Sequence, residues 1–474
     1  MSSNADNGQP LYSEVRIPKE LLQFLRQETY SLLIKGNTGT GKTTLALSIL
    51  KELNVNKNCL YMSTRVSPDQ LFQYYPWIEG FFPQSKRIEQ TEASELEKDQ
   101  HIFVDARLDE PGSLFERITN ELMDTKAPTI VIDTWDAIGF LMDKEALMNN
   151  AKVLQTWRER ARAKLIFVTE SPEDRTFDFL VDGIVELRQR HHNERLVREI
   201  LLSKLRGIRI NRPVYTFSLN YGFFSSYDHH RPSDFFNLDY FFAPKHIDKN
   251  FLKDSHFTTG YHELDEVLGG GFPVGCTVSI ELDPHVNAKI ALAFLSKALL
   301  NFVSDKNPII FQPIEKSNLE PLVKYQNSAG LQKELITIMP IPSRSPDSHP
   351  EATFASQIEK IQEEIEKIRK TSQSKMLLTV LNIETLRSTP KTDMVKLEHM
   401  LLTEVRANSN LTIIISRRGA DDRHTAVSEI ADIRLSILEI DGTMFLQSEN
   451  PWSHLYAIVV QPEREHGIKL EPMV

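Results

Sequence analysis

Short runs of apolar and β-branched residues alternate with longer amphipathic stretches through the first half of the chain. The runs have the length of strands and lie at residues 31–35, 59–63, 101–105, 129–133 and 164–169, before a β-rich tail at 183–217. Between them, apolar residues recur every three to five positions, as at Phe115, Ile118 and Leu122, which predicts helices with one buried face. This alternation is typical of a parallel sheet with crossover helices, so it predicts an α/β domain.

The second half of the chain repeats the alternation, which indicates an internal duplication. Its strand candidates lie at 276–282, 308–311, 335–339, 377–381 and 411–416. Between the halves, prolines, histidines and aromatic residues follow no clear period. We therefore predict a flexible N-terminus at 1–16, a first domain at 17–227, a linker at 228–255 and a second domain at 256–474.

Composition narrows the class of protein without naming an activity. The 474 residues are 41% hydrophobic and 25% charged, with a net charge of −10, which fits a globular protein and argues against one that coats nucleic acid through overall charge. The only cysteines, Cys59 and Cys276, exclude a disulfide framework and a cysteine zinc site. No apolar stretch reaches the ~18 residues of a membrane span, so we expect a cytoplasmic protein without a membrane partner.

Residues 36–43 match the phosphate-binding pattern G-x-x-x-x-G-K-[ST] between an apolar strand and a helix. Backbone N–H groups of such a loop and the following helix point at phosphates, Lys42 reaches the β and γ phosphates, and the Thr43 hydroxyl binds Mg²⁺. A plain glycine-rich turn is the alternative, and the coincidence of motif, strand and helix argues against it. The predicted ATP site comprises Gly36, Asn37, Thr38, Gly39, Thr40, Gly41, Lys42, Thr43 and Thr44.

Asp133 is the second predicted site residue, because it ends the apolar strand at 129–133. P-loop domains place there the aspartate that orders the magnesium shell. We assign Thr43 and Asp133 to the metal, and Lys42 and Asp133 to catalysis. A carboxylate that only caps the next helix is the alternative.

Several motifs make both halves resemble the KaiC family of archaeal and bacterial RecA-like ATPases. They include the stretch 131–134, the K-L-R-G motif at 204–207, and in the second half the glycine-rich stretch 268–275. The opening at 17–22 is similar to archaeal members related to the gas-vesicle regulator GvpD. The resemblance implies two tandem RecA-like P-loop domains, ATP with Mg²⁺, a homo-oligomer that can be a ring, and a protein regulatory partner.

Two departures from the family bear on turnover and on nucleotide number. Active KaiC domains carry two adjacent glutamates after the second strand, where this chain has Arg65 and Val66, and neither can act as a general base. Hydrolysis should be slow unless Glu170 or another carboxylate substitutes. In the second half, residues 282–290 lack the inner glycines and place Ala288 at the lysine position. We predict that this degenerate domain, which lacks a Walker A loop, binds no nucleotide.

The strongest local charge bias lies at residues 188–212, where eight basic side chains stand against two glutamates. An exposed strand face with solvated charges is one interpretation. The KaiC resemblance implies another for Lys204 and Arg206, which would reach the nucleotide of a neighbouring subunit in trans. DNA binding is a weaker reading, because aromatic residues are not interleaved with the arginines.

These patterns together predict an ATP-binding regulatory ATPase with slow conversion of ATP and water to ADP and phosphate. Its nucleotide state would control assembly or partner binding. One rival is a RecA-like ATPase of DNA repair or recombination, which the fold permits by analogy alone. Another is a sensor that binds ATP and never hydrolyses it.

Overall fold

The structure is a computed structural model that forms two compact units. The first comprises Met1–Asp228 with Met473–Val474, and the second comprises His229–Pro472. The structure describes residues 15–55, 58–81, 86–88, 101–139, 142–235, 238–313, 320–330, 335–340, 350–371, 376–383, 403, 405, 407, 409–418, 429–461 and 467–474. Most of the predicted N-terminal segment, residues 1–14, lies outside this part of the chain.

The first unit is built on one large sheet whose central strands are parallel. Its strands are β1 (Tyr30–Gly36), β2 (Cys59–Ser63), β3 (Lys86–Ile88), β4 (His101–Asp105), β5 (Thr129–Asp133), β6 (Lys164–Thr169), β7 (Gly183–His192), β8 (Arg195–Leu205), β9 (Val214–Ser218) and β10 (Ser225–Ser226). The order across the sheet is β10-β9-β8-β7-β1-β6-β5-β2-β4-β3. The predicted α/β sheet is confirmed, and β1 lies in its interior between β6 and β7.

Helices cover both faces of this sheet. They are α1 (Lys19–Leu25), α2 (Lys42–Glu52), α3 (Pro68–Tyr74), α4 (Trp77–Phe81), α5 (Pro111–Asp124), α6 (Trp135–Gly139) and α7 (Lys144–Ala161), with a short 3-10 helix at Asn220–Gly222. Alternation along β1 sends Leu32 and Ile34 into one buried cluster and Leu33 into the other. A strand with two buried faces reads as a continuous apolar run, which is why it was visible in the sequence.

The second unit has a sheet of the same kind. Its main strands are β14 (Cys276–Leu282), β15 (Ile309–Phe311), β16 (Ile336–Ile338), β17 (Leu378–Asn382), β18 (Leu411–Arg417), β19 (Ile433–Ile440), β20 (Thr443–Asn450), β21 (Tyr456–Gln461) and β22 (Gly467–Pro472). They follow the order β16-β15-β17-β18-β14-β19-β20-β21-β22. A small separate sheet joins β11 (Leu252–Lys253), β12 (His256–Phe257) and β13 (Phe272–Pro273).

The helices of the second unit include part of the segment predicted as a linker. They are α8 (His262–Val267), α9 (Ala288–Ser304), α10 (Glu320–Ser328) and α11 (Pro350–Thr371), with 3-10 helices at Pro232–Phe235, Leu238–Tyr240 and Pro244–His246. Phe235, Phe241 and Phe251 of that segment are buried in the core around α9 and β14. The aromatic residues without a regular period therefore pack on the second unit.

A strand-by-strand match relates the two sheets. Reading outward from β1 in one large sheet and from β14 in the other, β1-β6-β5-β2-β4 corresponds to β14-β18-β17-β15-β16, and β7 corresponds to β19. The match extends to one polar contact. The Asp182 amide donates to the Ser31 carbonyl oxygen, and the Ser31 amide donates to the Asp182 carboxylate. Asp432 and Thr277 form the same two bonds at the corresponding places. This agreement supports the internal duplication predicted from the pattern.

The Asp182 carboxylate organises a buried polar cluster beneath β1. Its Oδ2 accepts hydrogen bonds from the Ser31 amide at 3.1 Å and from Arg158 Nη1 at 2.8 Å, while its Oδ1 accepts from Arg206 Nη1 at 2.8 Å. The Arg158 side chain is only 7% exposed. The last turn of α7 thus contributes a buried cation to the sheet as well as favourable charge at its own end.

None of the helices in the described ranges combines the length and the apolar character that crossing a bilayer requires.

We expect Asp182→Ala to destabilise the first unit by about 3–5 kcal/mol, because it leaves the Arg158 cation and the Ser31 amide buried without their acceptor. Denaturant unfolding followed by circular dichroism measures the change. Arg162→Ala is the control, since that side chain is 73% exposed and its ion pair with Glu28 spans 4.0 Å. It should alter the free energy of unfolding by less than about 0.5 kcal/mol. Equal effects of the two variants would contradict a structural role for Asp182.

Candidate functional site

The predicted phosphate loop connects the end of β1 to the first turn of α2. Gly41 precedes α2 in the left-handed region, with φ 98°, and a Cβ there would lie 2.6 Å from Leu219 Cδ1. At Gly36, a Cβ would lie 2.6 Å from Thr40 Oγ1 and 2.7 Å from the Leu187 carbonyl oxygen. These two positions accept only glycine without a shift of their surroundings. The fixed glycines of the pattern thus have a local steric cause.

Thr43 and Asp133, the two predicted metal ligands, are in direct contact. Thr43 Oγ1 donates to Asp133 Oδ2 at 2.7 Å, and the Tyr61 hydroxyl donates to the same oxygen at 2.7 Å. Burial raises the pKa of Asp133, and the hydrogen bonds from Tyr61 and Thr43 oppose that rise. A hydroxyl and a carboxylate side by side are oxygen ligands of the kind Mg²⁺ prefers, so these residues fit the predicted cation.

Lys42 begins α2 and is almost completely buried. Its Nζ donates to the Asn37 carbonyl oxygen at 2.8 Å and lies 3.9 Å from Glu170 Oε1. Burial lowers the pKa of Lys42, while the charges of Glu170 and Asp133 act in the opposite direction. The ammonium group is therefore held inside the loop, at the place where a phosphate group would receive it.

An ion pair that the sequence did not predict stands beside Lys42. Arg65 Nη1, just after β2, pairs with Glu170 Oε2, just after β6. Asp136 fixes the Glu170 backbone, since its Oδ2 accepts the Glu170 amide at 2.6 Å and its Oδ1 accepts the Thr169 hydroxyl at 2.9 Å. Arg65 and Glu170 lie far apart in the chain, and only the parallel alignment of β2 and β6 shows that they meet.

Two further side chains from the basic segment contact the phosphate loop. The Gly39 carbonyl oxygen accepts hydrogen bonds from Gln189 Nε2 at 2.8 Å and from Arg198 Nη1 at 3.1 Å. Gly36 pairs with Leu187 in the sheet, which brings the following residues of β7 beside the loop. This register is the signal that would have found Gln189 and Arg198. Other arginines of the segment have carboxylate partners, as Arg188 does in Glu186.

Lys204 and Arg206, the predicted trans contacts, lie away from the phosphate loop of their own unit. Lys204 pairs with Ile184, which pairs with Leu33, so it is level with the middle of β1 rather than its carboxyl end. Lys204 Nζ donates to the carbonyl oxygens of Asp178 at 3.0 Å and Val181 at 2.6 Å. Arg206 is 71% exposed. The trans role stays a prediction, and Arg206, which also donates to Asp182, is the more exposed of the two side chains.

The corresponding edge of the second unit has different chemistry. Ala288 is the first residue of α9, as Lys42 is of α2, and Asn382 ends β17, as Asp133 ends β5. The Asn287 side chain accepts the Lys289 amide at 2.9 Å, so the helix start is capped by its own chain. Arg417 Nη1 donates to the Pro284 carbonyl oxygen. At the two positions equivalent to Lys42 and Asp133, the second unit thus has neither a lysine nor a carboxylate.

The phosphate loop lies in a part of the chain that matches a known protein family. The family described as "GvpD gas vesicle protein, P-loop domain" matches residues 21–203. Most of the first unit, including the phosphate loop, is thus similar to this P-loop domain. A P-loop domain implies nucleotide binding, typically with Mg²⁺. The narrower of the two resemblances stated from the sequence is confirmed by this match.

Two proteins of Halobacterium salinarum (strain ATCC 700922 / JCM 11081 / NRC-1) are similar to the chain. Protein GvpD1 is 27% identical over 314 residues, which cover 63% of this chain and 56% of that protein. Protein GvpD2 is 25% identical over 330 residues, which cover 67% of this chain and 65% of that protein. The matched part therefore spans less than two thirds of either relative, and what the whole relatives do is not carried over by the match alone.

We expect Asp133→Asn to reduce the gain in nucleotide affinity that Mg²⁺ provides by roughly tenfold, with metal-free binding changed by less than about twofold. The reason is that Asp133 acts through the cation. Because the pKa of Asp133 is raised, its carboxylate becomes protonated at a higher pH than an ordinary aspartate, so the metal-dependent gain of the wild type declines earlier on acidification.

Calorimetric titrations with and without Mg²⁺, repeated at falling pH, measure both effects. The asparagine variant should lack the pH dependence that Asp133 causes. Equal losses of affinity with and without the metal would favour the alternative in which Asp133 only supports the following helix.

Proposed function

We propose that the chain is an ATP-binding regulatory ATPase with slow hydrolysis, whose nucleotide state controls assembly or partner binding. The observation that carries the proposal is the hydrogen bond between Thr43 and Asp133 beside the buried Lys42, which unites the phosphate and metal ligands of one P-loop site. The matching family is described as a gas vesicle protein, and the two similar proteins are named GvpD1 and GvpD2. The process that this switch would control is therefore gas vesicle formation.

We expect slow turnover because of the contacts that the Glu170 carboxylate makes beside the phosphate loop. Glu170 is the candidate that could replace the missing glutamates as general base, but its Oε2 pairs with Arg65 and its Oε1 faces Lys42. A carboxylate whose oxygens are engaged by cations is not placed to accept a proton from an attacking water. Asp136 is engaged by the Thr169 hydroxyl and the Glu170 amide. This arrangement supports slow hydrolysis, in which ATP stays bound for a long time before it is converted to ADP and phosphate.

A regulatory role is favoured over a metabolic one, because no constellation for a second substrate accompanies the loop in the described part of the first unit. The second unit has Ala288 and Asn382 at the positions equivalent to Lys42 and Asp133. It would then serve as a scaffold or bind a protein partner. The basic segment does not favour the DNA alternative, because Arg188 is paired with Glu186 and Arg190 with Glu199.

We expect Lys42→Ala to weaken or abolish triphosphate binding. Lys42 would make two charge-assisted bonds to phosphate of about 1.5–3 kcal/mol each, together roughly a hundredfold or more in affinity. Calorimetry with ATP and Mg²⁺ measures the loss, and in the wild type it should return one nucleotide per chain. Lys152→Ala, at an exposed position on α7, is the control and should bind as the wild type does. Unchanged affinity in the Lys42 variant, or two sites per wild-type chain, would sink the assignment.

We also expect ATP with Mg²⁺ to favour a larger homo-oligomer through Arg206. A neighbour's phosphate would gain a charge-assisted bond from this exposed guanidinium, enough to shift a marginal assembly equilibrium about tenfold. Arg206→Ala should therefore lower ATP-dependent assembly in sedimentation while leaving ATP affinity of the monomer nearly intact. Arg209→Ala, another exposed arginine of the same turn region, should assemble like the wild type. A wild type that stays monomeric in saturating ATP would refute the trans role.

A further inference from the structure

Arg65, Glu170 and Lys42 form a three-member charge cluster at the edge of the phosphate loop. The Glu170 carboxylate lies between the two cations, with Oε2 paired to Arg65 Nη1 and Oε1 at 3.9 Å from Lys42 Nζ. The Arg65 guanidinium is close enough to Lys42 that its charge contributes to lowering the Lys42 pKa. One anionic group therefore lies between two cations, one from the start of α2 and the other from the segment after β2.

The bridging position of Glu170 is where a terminal phosphate would lie. Lys42 of a P-loop binds the β and γ phosphates, so a γ-phosphate must come within hydrogen-bond distance of its Nζ. A phosphate bears several anionic oxygens and, like a carboxylate, accepts two parallel bonds from a guanidinium. It would repel the Glu170 carboxylate and attract the same two cations that the carboxylate now joins.

Arg65 has the freedom that such an exchange requires. Its side chain is 51% exposed, whereas the Glu170 side chain is 23% exposed and its backbone is held by Asp136. An exposed ion pair contributes little to stability, so breaking it costs little. Since the guanidinium presents a planar set of donors that fits a carboxylate and a phosphate alike, it can change from one anionic partner to the other.

We propose that Arg65 is a γ-phosphate ligand of its own subunit, which leaves Glu170 when a triphosphate binds and thereby makes the site distinguish nucleoside triphosphate from diphosphate. The proposal rests on the function proposed above and adds to it the residue that reads the third phosphate. A diphosphate reaches Lys42 through its β-phosphate but brings no anion to the Glu170 position. The residue that departs most from the hydrolytic family pattern thus becomes the determinant of specificity.

The test compares affinities for a non-hydrolysable imido analogue of ATP and for ADP, each with Mg²⁺, by calorimetry on the full chain. Arg65→Ala should lower affinity for the triphosphate analogue by about tenfold, the value of one charge-assisted bond, and affinity for ADP by less than about twofold. Arg65→Lys should recover part of the difference, because it restores the charge without the planar pair of donors. Arg107→Ala is the matched control, since Arg107 is another half-exposed arginine at this sheet edge, paired with its neighbour Asp105.

Glu170→Gln separates competition from simple structural support. Without its charge, residue 170 neither repels the γ-phosphate nor holds Arg65, so affinity for the triphosphate analogue should rise several-fold while ADP affinity changes little. A fall in triphosphate affinity in this variant would overturn the exchange of partners.

The outcomes also separate this inference from the function on which it rests. If the wild type binds neither nucleotide, the proposed P-loop function fails. If it binds both, and Arg65→Ala leaves the ratio of the two affinities unchanged, only the role of Arg65 is wrong. Binding of both nucleotides with a ratio that collapses in Arg65→Ala and persists in Arg107→Ala is the result that supports the assignment.

Discussion

The hydrogen bond between Thr43 and Asp133 joins two segments that are ninety residues apart and belong to strands that are not neighbours. Thr43 lies in the first turn of α2, whose position follows from β1, while Asp133 ends β5 on the far side of β6. The contact therefore depends on three parallel strands ending at one level. Any shift of register among them would separate the hydroxyl from the carboxylate, and the loop would lose its metal ligands while keeping its shape.

The same parallel edge explains why charge is concentrated there. Strand ends bring Arg65, Asp133 and Glu170 to one place, beside a lysine that burial would otherwise push towards its neutral form. Each carboxylate offsets part of the cost of burying Lys42, and the hydroxyls of Tyr61 and Thr43 do the same for Asp133. The site is thus a balanced set of charges, and an anionic ligand would have to redistribute the partners within it.

Most of what was predicted from the sequence depended on patterns among residues that are close together in the chain. The strands that end at Ser63 and Asp133 were placed correctly because a strand buried on both faces leaves an apolar run, and the phosphate loop was visible because its glycines follow from backbone sterics. The contacts that the sequence did not predict are those that depend on the alignment of strands in the sheet. Tyr61 lies inside an apolar run and reads as core, and nothing local indicates that its hydroxyl meets Asp133. The Arg65–Glu170 pair needed the order of β2, β5 and β6.

The Asp182 carboxylate connects the start of β1 to an arginine at the surface of the first unit. One carboxylate holds the amide of Ser31 at the start of β1 and, through its other oxygen, the exposed guanidinium of Arg206. A partner that drew Arg206 away would leave Arg158 paired with that buried carboxylate, and the Ser31 amide would keep its acceptor. Arg206 can therefore change its partner at the surface while the start of β1 keeps its buried hydrogen bond, which separates events at this arginine from the geometry of the nucleotide loop.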